Sequence, residues 1–111
     1  MVDSINKSMI EDLKELMEDD FPLLIETFLT DCEERLVALD TAILESNATE
    51  IRELAHGFKG SSSNLGADQL SEISFTLETM GRDNNISDIE QANTKLNTEY
   101  QLVKEYFNSI I

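Results

Sequence analysis

The chain contains one histidine, His56, and one cysteine, Cys32. One cysteine closes no internal disulfide, and the two residues make no zinc site by themselves. Nucleophilic chemistry therefore centres on a single imidazole. The residues spaced around it suit phosphoryl transfer. Lys59 lies three positions after His56, Gly60 four, Ser63 seven, and Arg52 four before it. On a helix those offsets share one face. An exposed neutral imidazole attacks phosphorus near neutral pH. Lys59 would place a positive charge where a phosphoryl group on the ring would sit. Gly60 removes the side chain that would otherwise crowd it.

That face exists only if a helix runs through the segment LAHGFKGSSSNLGA, residues 54–67. Two readings are open. Gly57 and Gly60 each cost a helix roughly 1 kcal/mol relative to alanine. The helix could therefore stop near Gly57, leaving GFKGSSSN as a loop and His56 at a helix C-terminus. Against this, the apolar spacing Leu54, Phe58, Ser62, Leu65 continues unbroken through the glycines.

The surrounding elements read as helices. Met9, Ile10, Leu13, Leu16 and Met17 give a short one-sided helix. Asp20 before Pro22 reads as the N-cap of the next. Phe21, Ile25, Phe28, Cys32, Leu36, Leu39 and Ile43 then repeat at steps of three and four, ending near Ser46. Asn47 and Glu50 form a capping-box pair ahead of Ile51, Leu54, Ala55 and Phe58. After a break at Gly66 come Leu70, Ile73, Leu77 and Met80, closed by Gly81. Ser87 and Glu90 form a second box before Ile89, Ala92, Leu96, Tyr100, Val103, Phe107 and Ile110. Four glycines and one proline in 111 residues are too few for a sandwich or barrel. The expected fold is all-α: one domain over residues 1–111, an up-down-up-down four-helix bundle with a short N-terminal lid helix. Cys32 falls on a core stripe and reads as a buried small hydrophobe.

Charge narrows the function. The 23 acidic residues against 8 basic ones give a net charge of −15. Such a field repels phosphate backbones and anionic lipid, so neither nucleic acid nor a membrane is an expected partner. No apolar run reaches transmembrane length, and no secretory segment opens the chain. A cytoplasmic, monomeric protein is expected. The acids are uneven: 14 fall in residues 1–50 with 3 bases, 9 in residues 51–111 with 5 bases. His56 sits in the less acidic half. A nucleic-acid mimic would need those acids on one continuous face. No Walker loop is present, because the Lys-Gly order does not match G-x-x-x-x-G-K-[ST].

The run from His56 to Ala67, with Lys59, Gly60 and the Leu65-Gly66-Ala67 step, resembles the signature of the histidine-containing phosphotransfer domain of multistep phosphorelays. Leu77-Glu78 and Gly81-Arg82 resemble that family's next helix. The resemblance implies that His56 accepts a phosphoryl group on Nε2 from a receiver-domain aspartate and passes it to another. Lys59 would stabilise the phosphoryl charge, and Gly60 would leave room for the receiver. Glu78 falls where the family places a glutamine or glutamate that bonds the other ring nitrogen. Magnesium and the acidic pocket would belong to the receiver, with no cofactor or metal on this chain and no kinase activity of its own. The partners implied are response-regulator receivers and a hybrid sensor kinase. Gly57 departs from the family pattern, which has a threonine or another helix former there.

Two acidic proteins should meet through apolar contact with charge at its rim. Met9, Leu13, Leu16 and Met17 are candidate contacts, with Arg52 and Ser63 beside His56. Lys59 would be the main local cation. Phe75 lies off its stripe and should point away from His56. Ser61, Ser62 and Ser63 lack triad partners and read as small residues for close helix packing. The alternative function is an adaptor of the same fold that binds receivers or kinases without transferring phosphate.

Overall fold

A computed structural model describes residues 4–111, and every regular element within them is helical. Helix α1 spans Lys7–Met17, α2 Phe21–Leu44, α3 Ala48–Asn64, α4 Asp68–Arg82 and α5 Ile89–Ile110. Helices α2 to α5 form the expected four-helix bundle. Short α1 lays Ile10 on the core, and the Asn6 N–H donates to the Gly66 carbonyl at 2.8 Å. That bond ties the start of α1 to the α3–α4 turn.

The periodic stripes are the core. Phe21, Ile25, Phe28, Cys32, Leu36 and Leu39 of α2 are buried, joined by Leu29 and Ala42. On α5, Ile89, Ala92, Leu96, Tyr100, Val103 and Phe107 are buried, and Ile110 is half-buried. The Tyr100 hydroxyl donates to the Glu33 carboxylate at 2.6 Å, giving this buried phenol an acceptor at the α2–α5 seam. Cys32 is fully covered, and burial pushes its thiol well above the ordinary range, so it stays protonated and inert.

Helix ends depart from the sequence reading in three places. Asp20 makes no capping bond, because a 3-10 turn over Glu18–Asp20 runs straight into α2 with helical backbone at Asp20. Asn47 does cap, its Oδ1 accepting from the Glu50 N–H at 3.1 Å. Ser87 does not: α5 begins at Ile89 with Asp88 in the cap position, and the Ser87 hydroxyl turns to Asn85 Oδ1 at 3.4 Å. Gly81 is not a terminator either. Helix α4 continues to Arg82, and Asn84, at φ 52°, makes the left-handed turn beyond it.

Gly81 instead sets how closely α3 and α4 approach. A Cβ there would lie 2.7 Å from the Ala48 carbonyl oxygen and 2.8 Å from the Arg52 nitrogen. Both are backbone atoms that cannot swing aside. Gly66, at φ 68°, provides the left-handed turn between the two helices. Gly81→Ala should therefore lower unfolding stability by roughly 1–3 kcal/mol, even though alanine is the better helix former. Urea denaturation reads this directly. A variant at least as stable as wild type would show that α3 and α4 do not need the glycine.

Candidate functional site

Helix α3 runs from Ala48 to Asn64 without a break at Gly57 or Gly60. Of the two open readings, the continuous helix is the one the chain adopts. Ile51, Ala55, Phe58 and Ser62 form its buried side. His56 stands off that side with its side chain 69% exposed. Arg52, Gly60 and Ser63 are exposed on the same stretch of helix, and Lys59 is half-buried.

Glu78 on α4 completes the arrangement. Its side chain is only 16% exposed. Oε2 lies 3.1 Å from His56 Nδ1, and Oε1 lies 2.8 Å from Lys59 Nζ. One carboxylate thus serves two donors from the neighbouring helix. The hydrogen bond from Lys59 holds this carboxyl below the usual carboxylate range; burial opposes the shift, and the bond from His56 adds to it. An ionised carboxylate only accepts, so Nδ1 must carry the ring proton. In the neutral ring Nε2 then keeps its lone pair. The fold thus favours the tautomer that leaves Nε2 unprotonated.

Lys59 is therefore not a free cation beside the ring. Besides Glu78 it contacts Phe75, whose ring centroid is 5.0 Å from Nζ. This corrects the expectation that Phe75 points away from the site. Phe75 precedes Glu78 by three residues, one helical turn, so both face α3. That spacing was the available signal. Phe75 remains half exposed. A further link, Ser71 Oγ to the Lys59 carbonyl at 3.2 Å, fastens α4 to the same turn of α3.

The two glycines of α3 have different surroundings. A Cβ at Gly60 would meet nothing within 4 Å. The fold does not require a glycine there, and its effect is open space one turn from the ring. A Cβ at Gly57 would overlap the guanidinium of Arg35, which reaches over from α2. Arg35 was not singled out by its spacing, since it is remote in sequence from His56.

Other basic groups also gather here. Arg52, Glu53, His56, Glu78 and Arg82 line a shallow cleft of about 310 Å³. With Lys59, and with Arg35 over Gly57, four of the eight basic residues lie around the only histidine. Lys59 is thus one of a set of four basic groups near the ring. The apolar candidates of α1 divide. Leu16 is 79% exposed, whereas Leu13 and Met17 pack against the core. Met9 is half-buried, with its sulfur against the Gly66 turn. Among the described residues no cluster of three His, Cys, Asp or Glu side chains is placed to hold a metal ion. No described helix is long and apolar enough to cross a membrane.

The family model described as the Hpt domain matches residues 23–106. The phosphorelay protein LuxU of Vibrio vulnificus, in strains YJ016 and CMCP6, is 27% identical over 88 residues, which cover 78% of this chain and 76% of that protein. The crystal structure of histidine-containing phosphotransfer protein B (HptB) from Pseudomonas aeruginosa PAO1 matches with a TM-score of 0.94 and 32% identity. That match covers 98% of this chain and 95% of the solved one. Agreement of this extent in sequence and in shape places the chain in the Hpt domain family, as a histidine phosphotransfer protein of a phosphorelay.

Proposed function

We propose that the chain is a phosphocarrier between receiver domains, with His56 as phosphoacceptor. The observation that carries this is the bond from His56 Nδ1 to Glu78, which leaves Nε2 as the nucleophilic nitrogen. In the forward step the Nε2 lone pair attacks the phosphorus of a receiver's aspartyl phosphate. An N–P bond forms, the acyl P–O bond breaks, and the aspartate leaves as a carboxylate. The phosphorylated ring keeps the Nδ1 proton and is cationic. Glu78 stabilises that charge. Attack by a second receiver's aspartate on the same phosphorus returns the ring to neutral.

Lys59 acts on the other side of the balance. Its ammonium leaves Glu78 in part to meet the phosphoryl oxygens, in the space kept clear at Gly60. The chain supplies a positioned nucleophile and two charges. The divalent cation and the acidic pocket belong to the receiver, which does most of the catalysis.

Incubation with a phosphorylated receiver should label the protein with an acid-labile, alkali-stable phosphoryl group, and His56→Gln should abolish the label. Wild-type protein that takes no label from any receiver of its source organism would end the carrier reading. Lys59→Ala should slow transfer by roughly tenfold and shorten the phosphohistidine half-life. Its melting should stay within about 1 kcal/mol of wild type, since Lys59 lies outside the core.

Glu78 also predicts an acid response. Its folded-state pKa is lowered, so its ionised form adds stability that is complete above the ordinary carboxylate range. That stability is lost as pH falls through the lowered folded value. Wild type should therefore lose more stability than Glu78→Gln between about pH 5 and pH 3. Parallel loss in the two proteins would mean that the Lys59 and His56 contacts do not stabilise the carboxylate.

A further inference from the structure

Gly57 departs from the family pattern, and neither the helix nor the proposed chemistry accounts for it. As an interior helix residue it costs roughly 1 kcal/mol relative to alanine. Packing does not demand it. The atoms that a Cβ would meet all belong to the tip of the Arg35 side chain, which is flexible and could move away. What the glycine permits is a seat. The Arg35 guanidinium occupies the space that a Cβ at Gly57 would fill, one residue from His56.

Arg35 is anchored in that seat from behind. Its Nε donates to Asp31 Oδ2 at 3.0 Å, one turn back on α2. Asp31 Oδ2 also accepts from Ser61 Oγ of α3 at 3.5 Å, so the anchor bridges both helices. The terminal nitrogens Nη1 and Nη2 have no acceptor among the described residues; Nη1 is the atom nearest residue 57, and the side chain is 29% exposed. At 100° per residue, Gly60 lies between His56 and Gly57 around α3. Arg35 therefore borders the open space beside Gly60 on the α2 side. Arg52 and Arg82 border His56 in the cleft between α3 and α4.

We propose that Arg35, seated on Gly57, is a docking contact that selects receivers carrying a carboxylate at the rim of their acidic pocket. The proposal rests on the phosphocarrier reading for the identity of the partner. A guanidinium fork with both terminal nitrogens unpaired and its Nε fixed fits a carboxylate through two parallel bonds. The fork is ordered before the partner arrives, which lowers the cost of binding. Paired with Asp31, it offers free N–H donors without relying on net positive charge, on a molecule whose overall field would repel an acidic partner. Lys59 is bound to Glu78 and stacked on Phe75, so it does not provide that contact in the resting protein.

The test measures binding, so it does not depend on transfer. Purified receiver domains of the source organism are titrated by calorimetry into four unphosphorylated proteins: wild type, Gly57→Ala, Arg35→Ala and the double variant. Gly57→Ala keeps every charge and removes only the seat. It should weaken receiver binding roughly fivefold, the factor that about 1 kcal/mol of ion pairing sets. Arg35→Ala should weaken it at least as much, and Gly57→Ala should add nothing in the Arg35→Ala background. A fifth protein, Arg35→Lys, should bind no better than Arg35→Ala, because lysine keeps the charge and loses the fork. Gly57→Ala should melt no lower than wild type, which separates a lost seat from a damaged fold. Equal affinity of all four proteins overturns the contact, and so do additive losses in the double variant. Receivers that bind with this pattern but never label His56 would leave the contact standing and end the carrier reading. No binding by any receiver would end both.

Discussion

One carboxylate holds the site together. Glu78 accepts from His56 Nδ1 and from Lys59 Nζ, so a single side chain of α4 sets the ring's proton and the ammonium's position. Neither helix could do this alone. His56 and Lys59 are three residues apart on α3, and their shared acceptor must come from a neighbour close enough to reach both. The approach of α3 to α4 is therefore the constraint on which the rest depends. Gly81 removes the side chain that would separate the two backbones, and Gly66 turns the chain sharply enough to bring α4 back along α3. The Ser71 hydroxyl fastens the same turn through the Lys59 carbonyl. Residues that look structural, two of them glycines well away from the imidazole in sequence, are what make the imidazole chemically specific.

The net charge of −15 acquires a local exception. A phosphoryl group brings further negative charge to a molecule already rich in it. Coulombic cost at short range is governed by near neighbours, because exposed charges beyond about 8–10 Å are screened at ordinary salt. Arg35, Arg52, Lys59 and Arg82 are the cations among those neighbours. The acids dominate the rest of the surface, while around His56 they are matched by bases, with Asp31, Glu53, Glu78 and Asp83 beside these four cations, so the reactive face is close to neutral. Apolar docking through α1 carries less weight than the sequence suggested. Only Leu16 of its four candidates stands well out in solvent, and the other three help to pack the core or the α3–α4 turn.

How much of this was legible in the sequence depends on the range of the interaction concerned. The core stripes of α2 and α5 were largely readable, because burial repeats every three or four positions, although Leu29 and Ala42 are buried and Ile43 is only half-buried. The continuity of α3 was only half legible: the apolar spacing ran on through the segment, but the cost of Gly57 and Gly60 left a loop equally open. Helix caps were less so. Asn47 caps, but Asp20 and Ser87 do not, since a cap depends on whether the preceding backbone is extended, and a 3-10 turn or a local hydrogen bond changes that. Contacts across helices were least legible. Glu78 was reached only through family resemblance. Phe75 beneath Lys59 and Arg35 over Gly57 depend on how two helices are rotated against each other, which spacing within one helix does not encode.

Glycine shows the same limit in one residue type. Gly57, Gly60 and Gly81 all sit inside helices and carry similar intrinsic costs. Gly81 is demanded by backbone packing, Gly60 opens space, and Gly57 seats an arginine. Lys59 shows why such detail matters to a carrier. On the carrier reading, a phosphoryl group accepted from one partner and surrendered to another should not rest in a deep well. A free ammonium beside Nε2 would deepen it. Here the ammonium is already shared with Glu78 and Phe75, so meeting the phosphoryl oxygens costs part of an existing interaction, and the net stabilisation of phosphohistidine is smaller than the contact alone would give. The same division leaves Glu78 available to the cationic ring when phosphate arrives. On the carrier reading, the site is then balanced between its free and phosphorylated states.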